Sequence, residues 1–372
     1  MSTPAWMAVR GTTRAARGKI RVLVVDDSVV IRHLVMHALR EEADIEVVGA
    51  AANGAAALAR IPEVHPDVIT LDIEMPVMDG LTALRQIRTL HPRVRTIMFS
   101  TLTQRGASST FEALSLGADD YVAKASNAGS LDQSLASLRG ELIPKIRQFF
   151  APTPGTMTAA APRLPPKPAA AGLGTQAARR STPFRILGIG VSTGGPQTLA
   201  QLIPQLPASL RVPVLVVQHM PPMFTRLLAE RLASLSVLRV VEAGDGMEIS
   251  AGTVYIAPGD YHLRLRRSGS GLFAALDQGP QENSCRPSVD VLFRSLSESF
   301  GKDVLSVVLT GMGYDGLRGT QALKAAGGYS VVQDQASSVV WGMPGAVAEA
   351  GLADGVFPLA AMGSEIVRLA GA

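Results

Sequence analysis

Ser192, His219 and Asp315 each follow a short apolar run in the C-terminal half, and together they could perform nucleophilic catalysis. A serine hydroxyl is a weak nucleophile that needs a general base, and the base needs a group to orient it. Ser192 stands in GIGVSTGGP, His219 in VVQHMPP and Asp315 in LTGMGYDG. Pro196 is preorganised for a first helical turn, and the backbone N–H groups of such a turn serve a phosphate or a developing oxyanion. Gly188, Gly190 and Gly194 loosely suggest a dinucleotide loop, but the spacing is off and no acid ends the next apolar run. Gly190 to Gly194 also fits the short G-x-S-x-G pattern. The loop alone does not choose between these; His219 and Asp315 choose the nucleophile. The order Ser, His, Asp differs from the Ser, Asp, His of α/β-hydrolases, so the triad belongs to another topology. His262, in IAPGDYHL, reads as structural, and no histidine is placed for Cys285 as a rival nucleophile.

A second set occupies the N-terminal half. Asp26 and Asp27 end one apolar run (LVVDDS) and Asp72 ends another (VITLDIEMPVMDG). Acids converging at one sheet edge repel each other unless a cation sits among them, and oxygen ligands with room for water suit Mg2+. Ser100 and Lys124 end two further runs and add a hydroxyl and an ammonium to that edge.

The elements that must position these groups follow from periodicity. Arg21–Val25, Glu46–Ala50, Val68–Leu71, Thr96–Phe99 and Asp120–Ala123 predict strands, and Ser28–Glu41 and Gly80–Leu90 predict helices between them. Arg185–Val191, Val212–Val217, Val254–Ala257 and Val304–Leu309 repeat the logic. Alternation of this kind predicts two doubly wound parallel-sheet α/β units, with the working sites beyond the carboxyl ends of the strands. Residues 151–183, rich in Pro and Ala, read as a linker. The division is 19–145, a linker over 146–183, and 184–372.

The aromatic content of 5% argues against a stacking surface for nucleic acid. The net charge is +4, and the basic residues near the N-terminus read as a solvated tail. One cysteine excludes an internal disulfide. No apolar run is long enough to span a membrane, so a cytoplasmic protein without membrane insertion is expected.

Residues 19–145 resemble the receiver domains of two-component signalling, of flavodoxin-like fold. The resemblance implies that Asp72 accepts a phosphoryl group from a histidine kinase phosphodonor, with Asp26 and Asp27 holding Mg2+. It further implies that Ser100 and Lys124 bind the phosphate and that Tyr121 swings inward on activation. Ala125 stands where such receivers usually have Pro. Residues 184–372 resemble the chemotaxis protein-glutamate methylesterases of the CheB family, through HMPPMFTRLLAERL, VYIAPGDYHL, RPSVDVLFRSL, LTGMGYDG and VWGMPGAV. This implies Ser192 as nucleophile, His219 as base, Asp315 as its orienter, and Thr193 and the Met312 backbone N–H as oxyanion donors, with no cofactor in this unit. It implies methylated chemoreceptor helices as substrate, with deamidation of their glutamines, under control of the receiver. The competing readings are a serine hydrolase of another ester or amide, or a non-enzymatic output module.

Overall fold

The computed structural model describes residues 18–100, 103–124, 131–150, 184–269 and 271–371. The basic N-terminus, Ala125 and the linker segment 151–183 lie outside these residues.

The first unit runs β1 (Ile20–Val25), α1 (Val29–Arg40), β2 (Ile45–Ala51), α2 (Gly54–Val64), β3 (Val68–Asp72), α3 (Gly80–Leu90), β4 (Arg95–Ser100), α4 (Gln104–Leu116), β5 (Asp120–Ala123) and α5 (Leu131–Arg147). Its five strands are parallel in the order β2-β1-β3-β4-β5. β3 is buried along its whole length, as expected of a strand covered by helices on both faces. Ser28, Asn53, Asp79 and Thr103 each accept a backbone N–H of the following helix, so α1 to α4 start where a short polar side chain can cap them.

The second unit begins with β6 (Ile186–Val191), α6 (Gly195–Leu202), β7 (Val214–Gln218), α7 (Pro222–Leu235), β8 (Arg239–Glu242) and β9 (Thr253–Ile256). The hairpin of β10 (His262–Ser268) and β11 (Gly271–Asp277) follows, then α8 (Val289–Phe300) and β12 (Val304–Val308). The chain closes with α9 (Leu317–Ala325), β13 (Tyr329–Gln333), α10 (Met343–Glu349), β14 (Gly355–Phe357) and α11 (Leu359–Ala370). Seven parallel strands stand in the order β14-β13-β12-β6-β7-β9-β8. From β6 the chain first builds outward through β7, then returns to the other side with β12. The order therefore reverses between β6 and β12, and a crevice opens there beyond the strand ends. Every strand expected from the sequence is present within two residues at either end, and both units have the expected parallel-sheet α/β architecture. The expectation did not include β8, the antiparallel β10–β11 hairpin, β13 or β14.

Candidate active site

Ser192 follows β6, His219 follows β7 and Asp315 lies in the loop after β12, so the three flank the reversal point of the sheet. Gly194 makes the turn into α6 with φ 77°, a left-handed backbone that glycine adopts without strain. Gly311 is needed for another reason. A Cβ there would stand 2.8 Å from the Ser192 Cβ and 2.4 Å from the Met343 Sδ.

Asp315 is 2% exposed and is saturated with donors. Its Oδ2 accepts from His219 Nε2 at 2.8 Å and from the Val289 N–H at 2.7 Å. Its Oδ1 accepts from Asn283 Nδ2 and Ser288 Oγ, both at 2.9 Å, and from the Asp290 N–H at 3.0 Å. Two of these are the first N–H groups of α8, so the carboxylate sits at a helix N-terminus that favours negative charge. Asp290 returns the arrangement, accepting the Gly316 and Gly319 N–H groups that open α9. Burial works against the Asp315 charge, but His219 and the two amides outweigh it and lower the carboxyl to about 2. Burial likewise disfavours the imidazolium, yet Asp315 and Cys285 reverse this and raise His219 to about 10.

With Nε2 committed to Asp315, the free ring nitrogen is Nδ1. Cys285 Sγ lies 3.6 Å from it. The sequence reading placed no histidine for this cysteine; the fold does, because a turn between β11 and α8 brings Cys285 beside His219 Nδ1. Among the described residues Ser192 Oγ makes no hydrogen bond to His219, although both line one cleft of about 520 Å³. Catalytic hydrogen bonds often tighten only with substrate bound. The Ser192 carbonyl accepts from Gln218 Nε2 at 2.9 Å, which fixes the Ser192 loop to β7. Among the described residues, the N–H groups of Thr193 and Met312 donate to no protein acceptor. His262 is structural, as expected. It is 1% exposed, donates from Nε2 to the Pro280 carbonyl at 3.0 Å and accepts the Ser288 N–H at 3.2 Å.

The first unit forms the far wall of the cleft through Asp120, Tyr121, Lys145 and Gln148. Thr193 Oγ1 lies 3.2 Å from Asp120 Oδ2 and 3.1 Å from Gln148 Oε1. Gln197 Nε2 donates to the Leu114 and Ala118 carbonyls at 3.1 and 3.0 Å. The Tyr121 ring stacks on Phe224 with centroids 4.9 Å apart and carries Lys145 Nζ at 4.8 Å.

At the other carboxyl-end site, Asp26, Asp27 and Asp72 each bring an oxygen within 4.8 Å of the others. Lys124 Nζ lies 3.0 Å from Asp26 and 2.8 Å from Asp72 Oδ1. Asp72 Oδ2 is buried with no hydrogen-bond partner. Burial, against the pull of Lys124, raises the Asp72 carboxyl to about 6. A divalent cation would relieve both conditions, so the residues fit Mg2+. Ser100 lines the same cavity and donates to the Gly106 carbonyl at 3.1 Å.

Gln218, Asn283, Ser288 and Asp290 were missed by reading the sequence. RPSVD was noticed there, but nothing in the motif says that its backbone holds a carboxylate some 25 residues further on.

Residues 187–366 match the model of the CheB methylesterase family, and residues 22–136 match the response regulator receiver domain. A protein-glutamate methylesterase/protein-glutamine glutaminase of Trichodesmium erythraeum is 50% identical over 353 residues, covering 95% of this chain and 99% of that protein. One of the same designation from Nocardioides sp. is 51% identical over 362 residues, covering 94% and 95%. The crystal structure of the Thermotoga maritima CheB methylesterase catalytic domain is 44% identical, covers 50% of this chain and all of that one, and has a TM-score of 0.49. With its receiver, its catalytic unit and half of its residues shared along nearly the whole length, the chain belongs to the CheB family of chemotaxis response regulators, the protein-glutamate methylesterases/protein-glutamine glutaminases.

Proposed function

We propose that the chain is a phosphorylation-controlled hydrolase that removes methyl esters from glutamate side chains of chemoreceptors and deamidates receptor glutamines. Residues 19–145 act as the receiver, 146–183 as the linker and 184–372 as the catalytic unit. The observation that carries the reading is the Asp315–His219 pair, 2.8 Å apart, in one cleft with Ser192 at the reversal point of the sheet.

Ser192 Oγ attacks the γ-carbonyl of the receptor residue while His219 Nδ1 takes its proton. The Thr193 and Met312 N–H groups receive the developing oxyanion; removing one such donor typically costs about 10²–10³ in rate. His219 then protonates the leaving group, releasing methanol from an ester or ammonia from an amide. Water hydrolyses the glutamyl-serine ester by the same proton path in reverse. A histidine raised as His219 is carries its proton at neutral pH, so turnover rises as Nδ1 is freed.

The receiver contacts supply the control. In the docked arrangement Asp120 and Gln148 occupy the Thr193 hydroxyl, and Tyr121 fills the space against Phe224. Asp26, Asp27 and Asp72 would hold Mg2+, which supplies charge neutralisation for phosphoryl transfer to Asp72. Ser100 and Lys124 bind the phosphate once formed, and Lys124 must leave its Asp72 contact to do so. Tyr121 moves with that shift and loosens the stack on Phe224. The phosphodonor is a histidine kinase and the setting is the cytoplasm. Among the described residues no helix is long and apolar enough to cross a membrane.

Mass spectrometry of a methylated receptor fragment tests the assignment. Wild type should convert methyl-glutamate and glutamine to glutamate, and Ser192→Ala should do neither. The contact of Cys285 with His219 favours one rival, a thiol nucleophile, and turnover retained in Ser192→Ala would select it.

A further inference from the structure

The serine mechanism has no use for Cys285, yet its position is built with care. Asn283 and Ser284 both take left-handed backbone, with φ 53° and 62°. Glu282 and Cys285 exchange N–H···O bonds of 3.1 and 2.9 Å across them, closing a tight two-residue turn. Non-glycine residues hold such backbone only where their surroundings enforce it. Here Arg294 grips the Glu282 carboxylate with two bonds of 2.8 and 2.5 Å, and Asn283 donates to Asp290 and Asp315, both at 2.9 Å. The sulfur is thereby fixed on one side of a gap. On the other, the His219 ring is fixed by Asp315 with Nδ1 facing the sulfur.

We propose that Cys285 Sγ and His219 Nδ1 form an inhibitory site for a soft divalent transition metal, represented by zinc. Thiolate and imidazole are the ligands such ions prefer over magnesium. Zn–S and Zn–N bonds of about 2.3 and 2.0–2.1 Å, set at the tetrahedral angle, span about 3.6 Å. The observed separation is 3.6 Å, which matches that span. Metal-binding histidines donate their other ring N–H to a carboxylate that fixes orientation and raises basicity. Asp315 already plays that part. On binding, the thiol proton and the His219 Nδ1 proton pass to solvent, the sulfur and the imidazole each give one electron pair to the ion, and water fills the remaining positions. The ion needs no undocking of the receiver. His219 and Cys285 also line a second opening of about 470 Å³, whose walls, including Pro222, Asp260 and Arg286, all come from the catalytic unit. Zinc therefore acts on the phosphorylated and unphosphorylated protein alike. Inhibition, unlike binding, rests on the assignment of His219 as the base: a bound metal holds the lone pair that must take the nucleophile's proton.

Cys285 is the one cysteine in the sequence, so thiol alkylation of the full chain reads this site alone. The experiment keeps saturating Mg2+ present, so the receiver acids are occupied, and measures maleimide labelling and methanol release over a zinc titration. Each variant's release is normalised to its own zinc-free rate. Zinc should slow labelling and stop release over one concentration range, with and without phosphodonor, and a chelator should restore both. Losing even an indirect contact to a bound metal typically costs about 10–100-fold in affinity, so Cys285→Ala should need at least that much more zinc for inhibition. His219→Gln should lose the protection of Cys285. Ser192→Ala, though inactive, should keep it. Equal labelling with and without zinc, or equal inhibition of wild type and Cys285→Ala, would overturn the site. Protection of Cys285 without inhibition would overturn the inhibitory role and the assignment of His219 as base.

Discussion

Asp315 carries two duties, orienting His219 and capping α8, and both depend on its charge. Replacing the orienting aspartate of such a triad by asparagine leaves the geometry but costs on the order of 10⁴ in turnover. Asp315→Asn should lose activity on that scale, as methanol release will show. The folded carboxyl lies at about 2, below its unbound value of 3.8. Its stabilisation is therefore present above about pH 4 and is lost as pH falls through about 2. The advantage of wild type over Asp315→Asn in urea unfolding should shrink along that window; an advantage independent of pH would contradict it. His219 shifts the other way, raised by Asp315 and Cys285 against burial. The base must be neutral to act, so the acidic limb of kcat/KM should lie above the ordinary histidine pKa of about 6.5. Cys285→Ala removes one raising group and should move that limb to lower pH. A limb that stays in place would show that the sulfur does not perturb the ring.

At the scale of elements, the central strands were legible because buried parallel strands are short, continuous apolar runs bounded by glycine or proline. Ser192, His219 and Asp315 were legible for the same reason, since each closes or follows such a run. The elements not foreseen are edge strands β8 and β14, the interior strand β13, and the β10–β11 hairpin. Arg264, Arg266 and Arg267 in β10 alternate or adjoin without an apolar face long enough to register as a strand. The Cys285–His219 contact was illegible because a turn of two left-handed residues creates it, and neither Asn283 nor Ser284 announces that geometry. The loop after β12 makes a sharper demand. With Gly311 packed on Ser192 and Met343, Gly311→Ala must push the nucleophile's loop aside. Turnover should fall by at least about 10²-fold, the loss that small misplacements of reacting groups produce, with circular dichroism unchanged. Normal turnover would show that the loop yields without disturbing Ser192.

Over the whole molecule, the receiver forms one wall of the cleft, and the proposed control requires that wall to be removable. If about 1% of molecules are undocked at rest, reaching half requires a shift of about 2.7 kcal/mol. On the proposed reading, phosphorylation adds about −1.5 to −2 charges at Asp72, where Lys124 now pairs with the carboxylate, and so biases the packing between the units. Contacts that hold the wall should restrain the resting enzyme. Gln197→Ala removes two hydrogen bonds to α4 and the turn after it, each worth about 0.5–1.5 kcal/mol. From about 1% undocked, unphosphorylated activity should therefore rise roughly five- to sixtyfold, while the fully phosphorylated rate changes little. Deleting residues 1–183 should raise unstimulated activity further, and a truncated protein no faster than the resting full chain would refute control by docking.

The most direct test joins both sites in one assay: methanol release from methylated receptor membranes by the purified full chain, with and without a small phosphodonor and Mg2+. Release should be low at rest, rise with the donor, lose that rise in Asp72→Ala, and vanish in Ser192→Ala. Release that ignores the donor, or that persists without Ser192, would contradict the account.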